Sequence, residues 1–436
     1  MHAPAPPNQC FSPPEACFRR NRVGGSTLAP VKVLLVGSGG REHALAWKLA
    51  QSPELEELHA APGNPGIAQL GTCHPIHAED GESLIELARN LPADLVIVGP
   101  EAPLVAGVAD ELRMAGISVF GPSAAAARIE GSKTFAKELM RDAGVPAAET
   151  MSVARPPCVV KADGLTAGKG VFMCRTQAEL DAALLAVRVH GESWVIEELL
   201  EGDELSLFAI CDGAGGLALA AARDYKRVGD GDEGPNTGGM GAYSPVREVG
   251  PAELDELLET VHLPVLAELA KRGSPFTGLL YAGLMLTADG PRVLEFNCRF
   301  GDPETQVILP RIEGDLLGAL LAAAQGDLSE IELAVSDRAA VTVAVAAENY
   351  PESSDSGTPI EGVEAAESGG AVVFHAGTAV RDGRLVTNGG RILNVTATAD
   401  TLEEARARAY AACELISFDG AHYRRDIAEG AVRVGS

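Results

Sequence analysis

The passage that most constrains the fold lies at residues 31–49. A short apolar run of strand type, Val31–Val36, ends in Gly37-Ser38-Gly39-Gly40 and gives way to apolar residues at helical spacing from Arg41 to Leu49. A strand that turns through glycines into a helix opens an α/β domain. The alternation continues. A second strand precedes Ala61-Pro62-Gly63-Asn64-Pro65-Gly66, and Ser83–Asn90 reads as helix. Ala93–Val98 reads as a buried strand stopped by Gly99-Pro100, Leu104–Ala115 as helix, and Ser118–Phe120 as strand. Strands alternating with helices imply a mostly parallel sheet.

The glycine turn invites a dinucleotide reading, but the third glycine of a GxGxxG pattern would fall at Glu42. The second strand also ends without an acidic residue for a ribose diol. What remains open is a small phosphorylated ligand at the free N–H groups of a helix N-terminus, or a tight turn with a structural role alone.

Charge narrows the partners. Thirty-five Lys+Arg against 61 Asp+Glu give a formal net charge of −26, which argues against a nucleic-acid partner, since affinity for a phosphate backbone rests on clustered basic groups. A phosphorylated ligand must then be small and held by local cations and backbone N–H groups. No run approaches the ~20 apolar residues of a membrane-spanning helix. Eight cysteines, spread from Cys10 to Cys413 with no CxxC pair, suggest neither a disulfide framework nor a zinc ribbon. Cys73-His74-Pro75-Ile76-His77 lacks a second half at zinc spacing and reads as surface loop. Residues 1–30 hold six prolines and no apolar core of a secretory signal, and read as a disordered tail or a mis-assigned start.

A second unit starts near Glu130. Ser132 is placed to cap a helix from Lys133 to Ala143, closed by Gly144 and Pro146. The strand Cys158–Lys161 leads into Ala162-Asp163-Gly164-Leu165-Thr166-Ala167-Gly168-Lys169-Gly170, which cannot be aligned as a Walker A loop. A strand-borne Lys161 before a mobile glycine loop with Lys169 suits nucleotide phosphates, although a surface hairpin would look the same. Trp194–Leu200 reads as a strand running into a loop. There Glu197 or Glu198 is placed to accept from an adenine amino group and Glu204 from ribose hydroxyls, unless these carboxylates are merely solvated. Leu280–Leu286 and Arg292–Phe296 read as strands paired around Ala288-Asp289-Gly290. Period two puts Glu295 and Asn297 on one face, two oxygen ligands for Mg²⁺ with phosphates and water completing the shell. Arg299, on the same side, is placed to stabilise charge on a transferring phosphoryl group.

Beyond a helix at Asp315–Gln325 the chain changes character near Asp327. Val341–Ala346, Val372–Ala376 and Ile392–Thr398 read as strands, Arg381-Asp382-Gly383-Arg384 as a hairpin turn, and Asp400 as the cap of a helix over Leu402–Ile416.

The order of Lys161, glycine loop, Glu197-Glu198-x-Leu200 and Glu295-Phe296-Asn297-Cys298-Arg299 resembles the ATP-grasp ligases. Further motifs narrow the likeness to the phosphoribosylamine–glycine ligase (glycinamide ribonucleotide synthetase) family, over about residues 31–427. They are Gly37-Ser38-Gly39-Gly40-Arg41-Glu42-His43-Ala44, Gly99-Pro100-Glu101-Ala102-Pro103-Leu104, Gly234-Pro235-Asn236-Thr237-Gly238-Gly239-Met240-Gly241 and Arg299-Phe300-Gly301-Asp302-Pro303-Glu304. The resemblance implies an α/β and α+β multidomain fold. A Rossmann-like parallel-sheet domain would span 31–129, and an ATP-grasp domain 130–326 with a lid subdomain at about 145–205. An α+β cap domain would span 327–430.

It also implies a cytoplasmic, monomeric enzyme of purine biosynthesis that uses ATP with Mg²⁺ or Mn²⁺ and small-molecule substrates. The enzyme would join glycine to 5-phosphoribosylamine through a glycyl phosphate. By the same resemblance Lys133, Lys161, Gly168, Lys169, Gly170, Glu197, Glu198, Leu200 and Glu204 would bind ATP. Glu295 and Asn297 would hold the metal, and Arg299, Lys169 and Asp302 would be catalytic. Gly39, Gly40, Asn64, Gly66, Pro100, Glu101, Asp224, Asn236 and Gly239 would bind substrate. Against the family pattern the chain is shorter between Pro146 and Lys161 by about three helical turns, and trimmed near His190-Gly191-Glu192. Another ATP-grasp carboxylate–amine ligase is the alternative reading, and a non-catalytic nucleotide-binding protein or a dehydrogenase stands further off.

Overall fold

A computed structural model describes residues 29–166 and 168–435; most of the expected N-terminal tail, residues 1–28, lies outside the described residues. The first unit is built on β1 (Val31–Gly37), β2 (Leu55–Pro62), β3 (Thr72–Cys73), β4 (Leu95–Val98) and β5 (Val119–Phe120), all parallel in the order β3-β2-β1-β4-β5. Helix α1 (Gly40–Leu49) follows β1 directly, and α2 (Gly81–Asn90) precedes β4. Burial of β1 and β4 on both faces explains their nearly continuous apolar sequence. The single helix expected at Leu104–Ala115 is instead two, α3 (Glu101–Ala106) and α4 (Val108–Met114). Gly107 separates them at φ +99, a left-handed conformation that ends one helix and starts the next.

Helices α5 (Ala124–Gly131) and α6 (Lys133–Ala143) lead into the central region. Ser132 caps α6 through its hydroxyl, which accepts from Phe135 N–H at 3.2 Å, and Gly144 closes the helix at φ +71. A small antiparallel sheet follows, β7-β6-β8, from β6 (Cys158–Ala162), β7 (Val171–Cys174) and β8 (Trp194–Glu198), packed on α7 (Gln177–Ala186). No helix lies between Ala143 and Cys158 among the described residues. The main central sheet is β10-β9-β13-β14, from β9 (Asp203–Asp212), β10 (Gly216–Ala218), β13 (Thr277–Thr287) and β14 (Gly290–Asn297). The expected turn at Ala288–Gly290 closes the hairpin of β13 and β14.

A third sheet, β11-β12-β15-β17-β16, joins strands far apart in sequence. The short β11 (Arg223–Asp224) and β12 (Gly241–Ser244) pair with β15 (Ala339–Ala346), β16 (Val372–His375) and β17 (Arg391–Ala399). Two segments of the central region are therefore woven into the C-terminal sheet. The last long helix is Leu402–Cys413, shorter than expected. Its cap is Thr401, whose hydroxyl accepts from Glu404 N–H at 3.2 Å, not Asp400.

Candidate active site

The turn after β1 is filled by the chain's own carboxylate. Glu42, at the third helical position of α1, accepts from Gly39 N–H at 2.6 Å and from Arg41 Nε at 2.6 Å. Its side chain occupies the space that a Cβ at Gly37 or Gly99 would need. This is why Glu42 stands where a dinucleotide fold has its third glycine. Arg41 in turn donates to Phe300 O at 2.9 Å and lies 3.7 Å from Glu101.

Arg299 ties this turn to the central sheet. Its guanidinium lies 3.1 Å from Glu101, at the start of α3 after Pro100, and 3.0 Å from Glu130 at the end of α5. Burial would raise the Glu101 carboxyl, but Arg299 and Arg41 overcome it and hold the group at about 2. Burial likewise raises Glu130 above its ordinary value, and there Arg299 does not overcome it.

Asp302 faces the C-terminal sheet. Its carboxylate accepts from Gln306 at 2.8 Å and lies 3.2 Å from Arg391, and Arg391 also donates to the backbone oxygens of Gly238, Gly239 and Asp302 at 2.6–3.1 Å. Gly239, at φ +110, admits this approach because a side chain there would collide with the Pro303 ring. Asn64 stitches three segments: its amide donates to Ser38 O at 2.9 Å and His375 O at 2.8 Å and accepts from the N–H groups of Gly66 and Ile67. Gly66 lies against the His43 ring, and Gly40 against Asn394 and Gln306.

A second cluster of charges carries the lysines. Lys161, projecting from β6, donates to Leu294 O at 2.9 Å and pairs with Glu197 of β8 at 2.8 Å. Glu197 is almost wholly buried and also pairs with Lys137 of α6 at 2.9 Å. Glu198 pairs with Arg292 at 2.7 Å and accepts from Glu149 N–H at 2.8 Å. Both carboxylates at the end of β8 are thus bound to protein donors, and Leu200 follows them half-buried. The loop after β6 is anchored by Asp163, which accepts from Lys133 N–H at 2.6 Å, while Lys133 Nζ donates to Gly164 O at 3.2 Å. Gly168 abuts Thr237 O, Asn236 donates to Val171 O at 3.5 Å, and Gly170 is buried beside an exposed Lys169.

Acidic groups converge where the lysines end. Lys226 is hydrogen-bonded to Glu204 and lies 3.7 Å from the buried Asp224. Burial pushes Asp224 up to about 7 and also raises Glu304. Glu295 behaves oppositely. Burial would raise it, but Lys226, Lys161, Lys133 and Arg299 together hold its carboxyl below the usual value. Glu295 lies opposite Gly283 and Asn297 opposite Tyr281 in the hairpin register, so both sit at the end of β14 nearest Arg299. A carboxylate and, two residues on, an amide oxygen are donors of the type that a hard divalent ion takes. No group of three or more His, Cys, Asp or Glu suited to a metal occurs among the described residues.

Three family descriptions match the chain: "Phosphoribosylglycinamide synthetase, N domain" at residues 31–130, "ATP-grasp (A) domain" at 131–305 and "C domain" at 340–430. The chain belongs to the phosphoribosylglycinamide synthetase family. It is 50% identical over 415 residues to a curated phosphoribosylamine–glycine ligase of Agrobacterium fabrum, covering 91% of this chain and 98% of the relative. To one of Streptomyces coelicolor it is 51% identical over 417 residues, covering 91% and 99%. The solved phosphoribosylamine–glycine ligase of Thermotoga maritima superposes with a TM-score of 0.79 at 36% identity, covering 91% of this chain and all of that one. A biotin carboxylase domain from Hydrogenobacter thermophilus, 16% identical with a TM-score of 0.66 over 90% and 91% of the two chains, shares the fold. Family and three-domain architecture therefore agree with the reading of the sequence. Glu130 and Lys137 escaped it as site residues. Only the four-residue spacing of Lys133 and Lys137, which puts both on one face of α6, signalled the second of them.

Proposed function

We propose that this chain is an ATP-dependent ligase that joins the carboxylate of glycine to the amine of 5-phosphoribosylamine, forming glycinamide ribonucleotide, ADP and phosphate. The observation that carries the reading is the set of near-full-length relatives with that printed activity at about half identity. The convergence of Lys161 and Arg299 on Glu295 supports it. A carboxylate is a poor acyl donor. Transfer of the γ-phosphoryl group to a glycine oxygen makes an acyl phosphate, and attack of the amine nitrogen on its carbon expels phosphate with that oxygen and forms the amide. Such chemistry asks for positioning and charge neutralisation, with no protein nucleophile.

In this reading Lys161 and Lys133 bind the ATP phosphates, and Gly168, Lys169 and Gly170 close over them. Glu197 holds Lys161 in place, and because its carboxylate and that of Glu198 are engaged by protein cations, adenine is read by backbone groups of residues 198–200. Glu204 serves the ribose. Glu295 and Asn297 hold Mg²⁺ or Mn²⁺, which supplies charge neutralisation at the phosphates. Arg299, kept in register by Glu101 and Glu130, faces the acyl phosphate, with Asp302 beside it. Gly39, Gly40, Asn64, Gly66, Pro100, Glu101, Asp224, Asn236 and Gly239 shape the pocket for the phosphoribosylamine. No described helix is long and apolar enough to cross a membrane, and the net charge of −26 supports small-molecule substrates over nucleic acid. We read the enzyme as a cytoplasmic monomer.

The test is mass-spectrometric detection of glycinamide ribonucleotide together with coupled ADP release, each component omitted in turn. Turnover that needs ATP, divalent metal, glycine and phosphoribosylamine supports the reading. Turnover with another amino acid in place of glycine, or without phosphoribosylamine, overturns it in favour of a different carboxylate–amine ligase.

A further inference from the structure

The hairpin of β6 and β7 carries the glycine loop, and its outermost pair is Cys158 opposite Cys174. Both are fully buried on the face of the sheet that packs against Leu180, Ala183 and Val187, and the Cys174 thiol donates to Phe172 O at 3.6 Å. Ala162 N–H donates to Gly170 O at 2.8 Å. Hydrogen-bonded pairs alternate along an antiparallel ladder, so Cys158 and Cys174, four residues further along in the same register, form one of them, with Cα atoms about 5.5 Å apart. That separation lies within the roughly 4.4–6.8 Å that a disulfide spans. Cys211 makes a contrast: it is also in a strand, but lies opposite Gly216 and Gly278.

We propose that Cys158 and Cys174 are a reversible modification site, at which a hydroperoxide forms a disulfide that staples the base of the nucleotide lid and weakens ATP binding until a thiol reductant reopens it. One sulfur attacks a peroxide oxygen. The O–O bond breaks, an alcohol or water leaves, and a sulfenic acid forms. The second sulfur then attacks the first, the S–S bond forms, the S–O bond breaks and water leaves. Two thiols lose two electrons and two hydrogens, and the peroxide takes them up.

The consequence for the lid follows from geometry. Directly opposed Cβ atoms in a hydrogen-bonded pair stand at the wide end of about 4.5–5.5 Å, whereas a disulfide wants about 3.8 Å. Closing that gap draws β6 and β7 together at their base. Lys161, three residues along β6, is fixed to Leu294 O and Glu197 by contacts of 2.9 and 2.8 Å that cannot follow the shift unchanged. The same strain makes the bond easy to reduce. Access is through β7, which among the described strands pairs with β6 alone, with Cys174 as its last residue. Burial pushes the Cys174 thiol up to about 11 and raises Cys158 as well, so oxidation waits on fraying of this edge. A nucleotide that closes the loop should slow it.

The effect on ATP rests on the ligase reading, and the crosslink itself does not. The full-length chain is treated with hydrogen peroxide, quenched by alkylation and digested with trypsin, and ATP affinity is measured by calorimetric titration. The expected result is a loss of two hydrogens per chain, with the peptide of residues 142–161 joined to that of 170–175. ATP affinity should weaken severalfold and return with dithiothreitol, and saturating ATP should slow the crosslink severalfold. Cys158→Ala and Cys174→Ala should each keep their ATP affinity under peroxide. Both thiols remaining open to alkylation after unfolding, or a mapped crosslink with unchanged ATP affinity, overturns the proposal. The mapping on the unaltered chain decides the first point even if a variant fails to fold.

Discussion

Replacing Glu197 by Gln tests whether the buried carboxylate is what holds Lys161, the lysine proposed to bind the ATP phosphates. Glu197 accepts from Lys161 at 2.8 Å and Lys137 at 2.9 Å with almost no solvent contact. Glutamine has one acceptor oxygen, so it can satisfy one ammonium while its NH₂ group faces the other. The other partners are backbone oxygens, Leu294 O for Lys161 and Ala148 O at 2.7 Å for Lys137. Removing one member of a buried ion pair costs about 3–5 kcal/mol, and the retained hydrogen bond puts this case near about 3 kcal/mol. With an unfolding entropy of about 2 cal/mol/K per residue, that lowers the melting temperature of a unit the size of residues 131–305 by about 8 °C.

The sign of the pH effect is fixed as well. Burial already holds Lys137 below its ordinary value, with Glu197 opposing that fall. Without the carboxylate Lys137 gives up its proton at lower pH, so the alkaline limb of the melting-temperature profile moves to lower pH, and KM for ATP rises because Lys161 loses its tether. Thermal melts and KM for ATP between pH 7 and 10 are the assays. Adding Lys137→Met to Glu197→Gln removes the surplus cation and should recover part of both losses. A melting temperature within 1 °C of the parent, an unmoved alkaline limb, or no recovery in the double variant would refute the reasoning.

Arg299→Met removes the cation between Glu101 and Glu130. It should lower kcat by about 100-fold or more, and a kcat within threefold of the parent in ADP-release assays would count against its role. Glu101 is held at about 2, below the ordinary carboxylate value of 4.5. Its contribution to stability is therefore complete above about pH 4.5 and is lost as pH falls toward 2. Denaturant midpoints should fall across that window in the parent and more shallowly in Arg299→Met, and parallel curves would contradict the assignment. In Gly40→Ala the new Cβ would sit 2.7 Å from Asn394 Oδ1 and 2.8 Å from Gln306 Nε2. A loss of about 1–3 kcal/mol is expected from urea unfolding, and a loss below about 0.5 kcal/mol would show that this turn is loosely packed.

What the sequence disclosed was local. Val31–Val36 with its glycine turn, the Ser132 cap and the hairpin about Asp289 are encoded by periodicity and turn chemistry over a few residues, and each was readable in place. The pairing of Gly241–Ser244 with Ala340–Val343 was hidden, because nothing in either stretch signals a partner a hundred residues away. The break at Gly107 was visible in principle: a glycine inside an amphipathic run is tolerated or left-handed according to packing, and here packing chose the second.

The site divided the same way. Strand periodicity could put Glu295 and Asn297 on one face, and a lysine before a glycine loop could be read as phosphate chemistry. Spacing alone could not show that Glu42 fills its own glycine turn. Nor could it show that Glu197 and Glu198 are already held by lysines and an arginine from three other elements. Those pairings exist only once the sheets are assembled.

The most direct test of the account uses glycine labelled with ¹⁸O in its carboxylate, with ATP, divalent metal and phosphoribosylamine, and mass analysis of the phosphate released. Attack of the carboxylate on the γ-phosphate followed by displacement by the amine predicts one ¹⁸O per phosphate and one retained in the amide. Phosphate carrying no label would contradict it, because the γ-phosphoryl group would then not have passed to the glycine carboxylate as the proposed roles of Lys161, Glu295 and Arg299 require.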